Sequence, residues 1–230
     1  MESACYNAAM NPSLIQTIAV YALPVLFAIT LHEAAHGYVA RLFGDNTAYM
    51  MGRVSLNPMR HIDVMGTIIV PLLLYLGTGG SFLFGYAKPV PVVFSRLRDP
   101  RWHSVWVALA GPGANFVMAV AWALLSLVLV VFTIDEPFFQ QVARAGLVVN
   151  LAMCAFNLFP LLPLDGGRIL STLLPPQFSY YLHRLEPYGF FIVMGLVFTG
   201  VVSNLWMRPL MSFLAFMINF VLTPFSLLLN

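Results

Sequence analysis

The sequence predicts an all-α polytopic membrane protein of about five to six transmembrane helices, with a small β element and a re-entrant hairpin beside its functional site. Three observations predict this. The 230 residues are 60% hydrophobic and only 9% charged, against about 25% charged in an ordinary soluble domain. Six apolar runs approach the roughly 20 residues that a bilayer crossing needs. Between them, the basic residues gather in three short connecting stretches. A water-exposed fold has no means of covering its surface with so few charges, so lipid is the expected solvent.

The first run, 12–39, is not a cleavable leader: no basic segment precedes it, and its far end holds the most chemical residues of the chain. The second, 64–86, is interrupted by Pro71, Gly77, Gly79 and Gly80. The third covers 102–134 and the fourth 138–164. Two more, 188–205 and 209–229, follow. The polar connections are too short for a separate soluble domain. The chain therefore reads as one membrane-embedded domain over 1–230, with a core at about 12–174 and accessory C-terminal helices at about 188–229. The stretches 49–58 and 87–94 suit extended structure, because Pro89 and Pro91 bar helix and the valines favour strands.

Orientation follows the basic residues. Arg41, Arg53 and Arg60 follow the first run, Lys88, Arg96, Arg98 and Arg101 precede the third, and Arg168 and Arg184 follow the fourth. Placing all nine in the cytoplasm makes the segment 64–86 re-entrant; a true span with a different downstream topology is the alternative. The net charge of +2 is small and scattered, which excludes a nucleic-acid partner. Cys5 and Cys154 are two isolated thiols and form neither a disulfide framework nor a thiolate metal site.

The chemistry begins at His32-Glu33-Ala34-Ala35-His36. Residues four apart share one helix face, so His32 and His36 present two imidazoles to one metal. Glu33 lies beside the first of them, in reach of a water molecule as general base. With five His and four Glu in the chain, this pattern arises by chance roughly 0.002 times. A catalytic zinc site takes three protein ligands, and Asp165 is the one other carboxylate at the end of an apolar run. It closes NLFPLLPLDGGR, where Pro160 and Pro163 break the helix and Gly166 and Gly167 release the backbone after it. Spans one and four run in the same direction, so His32, His36 and Asp165 reach the same leaflet. Asn115, in GPGAN, either holds a substrate carbonyl or braces a neighbouring helix; Asn157 poses the same choice. His61, His103 and His183 read as interfacial.

These residues resemble the site-2 protease family of intramembrane zinc metalloproteases. HEAAH at 32–36 resembles its HExxH, AGPGAN at 110–115 its GPxxN, and NLFPLLPLDGGR at 157–168 its NxxPxxPxDGG motif; YAKPVPV at 86–92 is similar to the short bacterial members. The resemblance implies a three-helix catalytic core and one Zn²⁺ ion held by His32, His36 and Asp165, with Glu33 as base. Asn115 and Asn157 would lie near the substrate or brace the site. It further implies cleavage of a transmembrane protein substrate in the cell membrane, and the basic residues put the active site towards the cytoplasm. Many relatives carry a PDZ or CBS domain, for which this chain has no room. Two rivals remain: a membrane HExxH protease whose third ligand is a Glu, with Glu186 the nearest candidate, and a non-enzymatic zinc transporter or scaffold.

Overall fold

The computed structural model describes residues 14–70, 73, 85 and 87–228. Helix α1 (Leu14–Leu42) is apolar almost throughout and accommodates a buried Pro24. It ends where Gly44 takes φ +112. There Gly44 N–H bonds the Arg41 carbonyl at 3.1 Å and Asp45 N–H the Ala40 carbonyl at 2.9 Å, which satisfies the last turn's acceptors. A short helical turn, α2 (Thr47–Met50), follows. Helix α3 (Pro100–Val131) starts with Pro100 in its first turn, and the Asp99 carboxylate accepts from the amides of Arg101 and Trp102. Pro137 likewise opens α4 (Pro137–Asn157). A tight turn leads to α5 (Asp165–Leu173), then α6 (Pro176–Phe198), a π-helical turn (Val202–Met207) and α7 (Arg208–Leu228).

Helices α1, α3 and α4 pack on one another and position the site. Val20, Val142, Ala145 and Trp122 join the three at one end. Ala119, Leu151 and Cys154 pack against Leu214 and Ile218, which attaches α7 to α3 and α4. Ala40, Leu97 and Val107, with Phe43, Val92 and Phe94 around them, close the end that holds the site.

Among the described residues four segments are long and apolar enough to cross a membrane: Ile15–Leu42, Pro100–Val131, Pro137–Asn157 and Val202–Pro224. Only 11–44% of their most apolar windows is buried inside the protein, so the rest of that apolar surface needs a lipid solvent. The chain is a multi-pass membrane protein. The described residues thus hold four such segments, where five to six were expected over the whole chain. The run 188–205 is broken at Gly200, which has φ +76, and α6 carries His183, Arg184 and Glu186. In the run 64–86, Val64–Ile69 forms a π-helical turn capped by Asp63, which accepts from Gly66 N–H at 2.8 Å. Most of the remainder of that run, including its expected hairpin, lies outside the described residues.

The β element is corrected too, since no strand occurs among the described residues. The stretch 49–58 opens in α2 and leads into a 3₁₀ turn at Pro58–Arg60. The stretch 87–93 is free of helix, as its prolines require, but its polar groups are taken by loops and side chains instead of a partner strand. Lys88 N–H donates to the His61 carbonyl at 2.9 Å. Val90 N–H donates to Glu33 and Val93 N–H to Asp45, both at 2.7 Å. Arg53 donates to the carbonyls of Lys88 and Pro89 at 2.8 and 3.3 Å. This stretch is a strap, tied down at both ends. Asp45, fully buried, also accepts from the Thr47 amide and hydroxyl. Burial pushes its carboxyl pKa up, and the bonds from Thr47 and Val93, with the charge of Arg96, more than offset that, leaving it below the ordinary value. His61, expected at an interface, is 1% exposed, with Nε2 2.8 Å from the Ser55 carbonyl.

Candidate metal centre

His32 and His36 lie one turn apart near the C-terminal end of α1, their rings edge to face with centroids 4.6 Å apart. The two Nε2 atoms are 3.1 Å apart. Asp165 Oδ2 stands 3.3 Å from the first and 3.4 Å from the second. Three donors from α1 and α5 thus form a nearly equilateral triangle, and no other such cluster of His, Cys, Asp or Glu occurs among the described residues.

The outward sides of the rings determine what faces inward. His36 Nδ1 donates to the Val107 carbonyl at 2.7 Å, and His32 Nδ1 to Asn115 Oδ1 at 2.6 Å. The Asn115 amide is oriented by Nδ2, which donates to the Ala28 carbonyl at 3.2 Å; a carbonyl only accepts. Each neutral ring therefore carries its proton on Nδ1 and turns an Nε2 lone pair into the triangle. Asp165 Oδ2 is buried and accepts no hydrogen bond. Two lone pairs and a carboxylate oxygen at such separations repel unless a cation lies among them. Tetrahedral zinc bonded at about 2.0–2.1 Å separates its donors by about 3.3 Å, and the triangle's edges match that spacing.

Small residues make the convergence possible. A Cβ on Gly111 would lie 2.3 Å from His36 Nε2 and 2.5 Å from His32 Cε1, so only glycine lets α3 pass this close to the inward-facing edges of the histidines. Gly166 and Gly167 do not release the backbone as expected. They form the first turn of α5, where a Cβ would lie 2.1 Å from the Leu158 carbonyl oxygen or the Leu161 carbonyl carbon. The turn folds back so tightly that the helix must restart against it, and this presses Asp165 towards α1. Gly189 of α6 backs the same turn, with a Cβ there 1.9 Å from the Leu162 carbonyl oxygen.

Glu33 and the triangle open onto one cavity of about 260 Å³, which Asn157 and Arg168 also line. Asn157 donates to the Met153 carbonyl at 3.0 Å, within its own helix. Arg168 lies over the Phe94 ring at 4.6 Å and makes no ion pair with Asp165. Glu186 sits on α6, outside the cluster.

Residues 20–146, more than half of the chain, match peptidase family M50. The chain belongs to peptidase family M50. This M50 zinc metalloprotease is 35% identical to YwhC of Bacillus subtilis over 207 residues, 87% of each chain. It is 30% identical to Rip2 of Mycolicibacterium smegmatis over 180 residues, 78% of this chain and 66% of Rip2. To the zinc metalloprotease MJ0392 of Methanocaldococcus jannaschii it is 22% identical over 162 residues, 70% of this chain and 36% of that protein. No solved structure matches the chain.

The fold brings together His32, Glu33, His36, Asn115 and Asp165, and leaves Asn157 at the cavity wall. Three groups were missed in the sequence. Asn150 of α4, fully buried, accepts from Asn115 Nδ2 at 3.1 Å. The Val107 carbonyl holds His36, and the Val90 amide holds Glu33. Asn150 carried a legible signal, an amide midway along an apolar run. The backbone groups carried none, since every residue offers the same ones.

Proposed function

We propose that this M50 zinc metalloprotease hydrolyses peptide bonds within or near transmembrane segments of membrane protein substrates. One zinc ion is held by His32, His36 and Asp165, and Glu33 is the general base. The observation that carries this reading is the donor triangle opening, with Glu33, onto one cavity in a membrane-embedded helix bundle. Zinc bound there supplies a Lewis acid that polarises a carbonyl and acidifies water. Glu33 accepts the proton of the attacking water and returns it to the leaving amine. The Val90 amide holds one carboxylate oxygen of Glu33 and leaves the other for that exchange. A substrate helix must unwind locally, because helical hydrogen bonds shield its carbonyls.

At about 1.5 Å per residue, His36 lies about 7 Å and His32 about 13 Å from Arg41 along α1. The basic residues after α1 and before α3 support a cytoplasmic location for that end, and hence an active site facing the cytoplasm of a cell-membrane protein. In the same reading the chain is one domain, with its core at about 12–174 and α6 and α7 as accessory elements.

Replacing Glu33 tests the reading. Glu33→Gln keeps size and hydrogen bonding but takes no proton. Purified in detergent, it is expected to retain one zinc per chain and to cleave a model membrane substrate about 10²–10⁴-fold more slowly, while a chelator silences the parent. Cleavage by Glu33→Gln at the parental rate would overturn the assignment of the base.

A further inference from the structure

We infer that Asn150 is a positioning residue for the metal centre: together with the Ala28 carbonyl it fixes the Asn115 amide, and through that amide the tautomer and direction of His32. The inference rests on zinc binding at His32, His36 and Asp165. Asn150 and Asn115 are both fully buried, and His32 is 5% exposed. A relay of four bonds, three of them between helices, ties α4, α3 and α1 together. Asn150 Nδ2 donates to the Gly146 carbonyl at 2.8 Å. Its Oδ1 accepts from Asn115 Nδ2 at 3.1 Å, and that same Nδ2 donates to the Ala28 carbonyl at 3.2 Å. Asn115 Oδ1 then accepts from His32 Nδ1 at 2.6 Å.

Each end of this relay has one possible sense. The Gly146 carbonyl only accepts, so the Asn150 amide cannot flip without facing oxygen to oxygen. With Asn150 Oδ1 pointing at Asn115, and the Ala28 carbonyl beside it, both Asn115 N–H groups are committed. Asn115 then offers only an oxygen to His32, the Nδ1 proton stays in place, and the Nε2 lone pair faces the metal. Gly146 also provides the closeness this needs, since a Cβ there would lie 2.2 Å from the Trp122 ring of α3. Outer groups that orient a metal-bound histidine typically carry a 10–100-fold effect on metal affinity.

The test measures zinc affinity of the full chain in detergent by competition with a chromophoric chelator, with Co²⁺ absorption as a second report on the ligand set. Asn150→Leu keeps the volume and removes both bonds; zinc affinity is expected to fall about 10–100-fold, with an altered Co²⁺ spectrum. Asn150→Asp, buried and protonated, still donates to Gly146 and accepts from Asn115, and is expected to bind like the parent. Should Asn150→Leu not fold, Asn150→Ala carries the same expectation. An Asn150→Leu protein that melts earlier yet binds zinc with parental affinity would reduce Asn150 to packing and overturn the inference. Equal weakening by Leu and Asp would overturn it too. Asp165→Asn run alongside separates the two levels. If it binds zinc as tightly as the parent, the metal assignment has failed; if it does not, while Asn150→Leu binds normally, only the relay has.

Discussion

Asp165 brings a negative charge to a pocket walled by Val107, Ala108 and Pro163, where an uncompensated charge is costly. Its Oδ2 has two Nε2 lone pairs as neighbours and no hydrogen-bond donor. A cation held there would resolve both costs at once, by taking the lone pairs and neutralising the carboxylate. Asp165→Asn is nearly isosteric but weakens coordination and removes the charge. It is expected to insert in the membrane normally, to fall from about one zinc per chain to near none, and to lose activity. Asp135→Asn, exposed between α3 and α4, serves as the control and is expected to change neither; metal analysis of the two purified proteins decides. His32, Glu33, His36 and Asp165 were legible because charge inside an apolar run is expensive and its spacing matches a helix turn. The contact of Arg168 with the Phe94 ring was not legible, because it joins segments 74 residues apart that no local pattern links.

At the scale of elements, α3 passes α1 so closely that its side facing the histidines must be bare. Gly111 and Gly113 are near neighbours in the same motif, yet they face differently. A Cβ at 111 would overlap both imidazoles, whereas one at 113 would meet nothing within 4 Å. Gly111→Ala is therefore expected to push His32 and His36 off the triangle and to abolish tight zinc binding. Gly113→Ala is expected to bind zinc like the parent, and to be slightly more stable because alanine favours helix by about 1 kcal/mol. Equal zinc affinity in the two variants would mean that the closeness of α1 and α3 is not needed. Which of the two glycines matters is not legible in the motif, since it depends on the rotation of α3 about its axis. The β element failed for a related reason. Valine and proline in 87–93 do exclude helix, but a strand needs a partner, and here Glu33, Asp45 and Arg53 take the backbone groups a partner would use.

For the whole molecule, the decisive question is on which side of the membrane each connection lies. The segment 64–86 lies mostly outside the described residues, but its flanks are tied together. Arg98 N–H bonds the Phe43 carbonyl at 2.9 Å, Arg96 the Thr47 hydroxyl at 2.9 Å, and Lys88 N–H the His61 carbonyl at 2.9 Å. With the strap bonds to Asp45 and Arg53, the chain before and after 64–86 forms one layer at the C-terminal end of α1. A single crossing by 64–86 would separate those partners by the bilayer's hydrocarbon core, about 30 Å thick. Positions 63 and 87 are therefore expected on the same side of the membrane. The turn at Asp135, by contrast, lies at the far end of the 32-residue helix α3, about 48 Å long at 1.5 Å per residue. Cysteines placed one at a time in a background lacking Cys5 and Cys154 test this. Met59, Arg101 and Asp135 are suited to it because all three are exposed. Met59→Cys and Arg101→Cys are expected to react with an impermeant reagent only from the cytoplasmic side, and Asp135→Cys only from the opposite side. Labelling of the cysteines at 59 and 101 from opposite sides would make 64–86 a true span and would break the layer that holds the strap over Glu33.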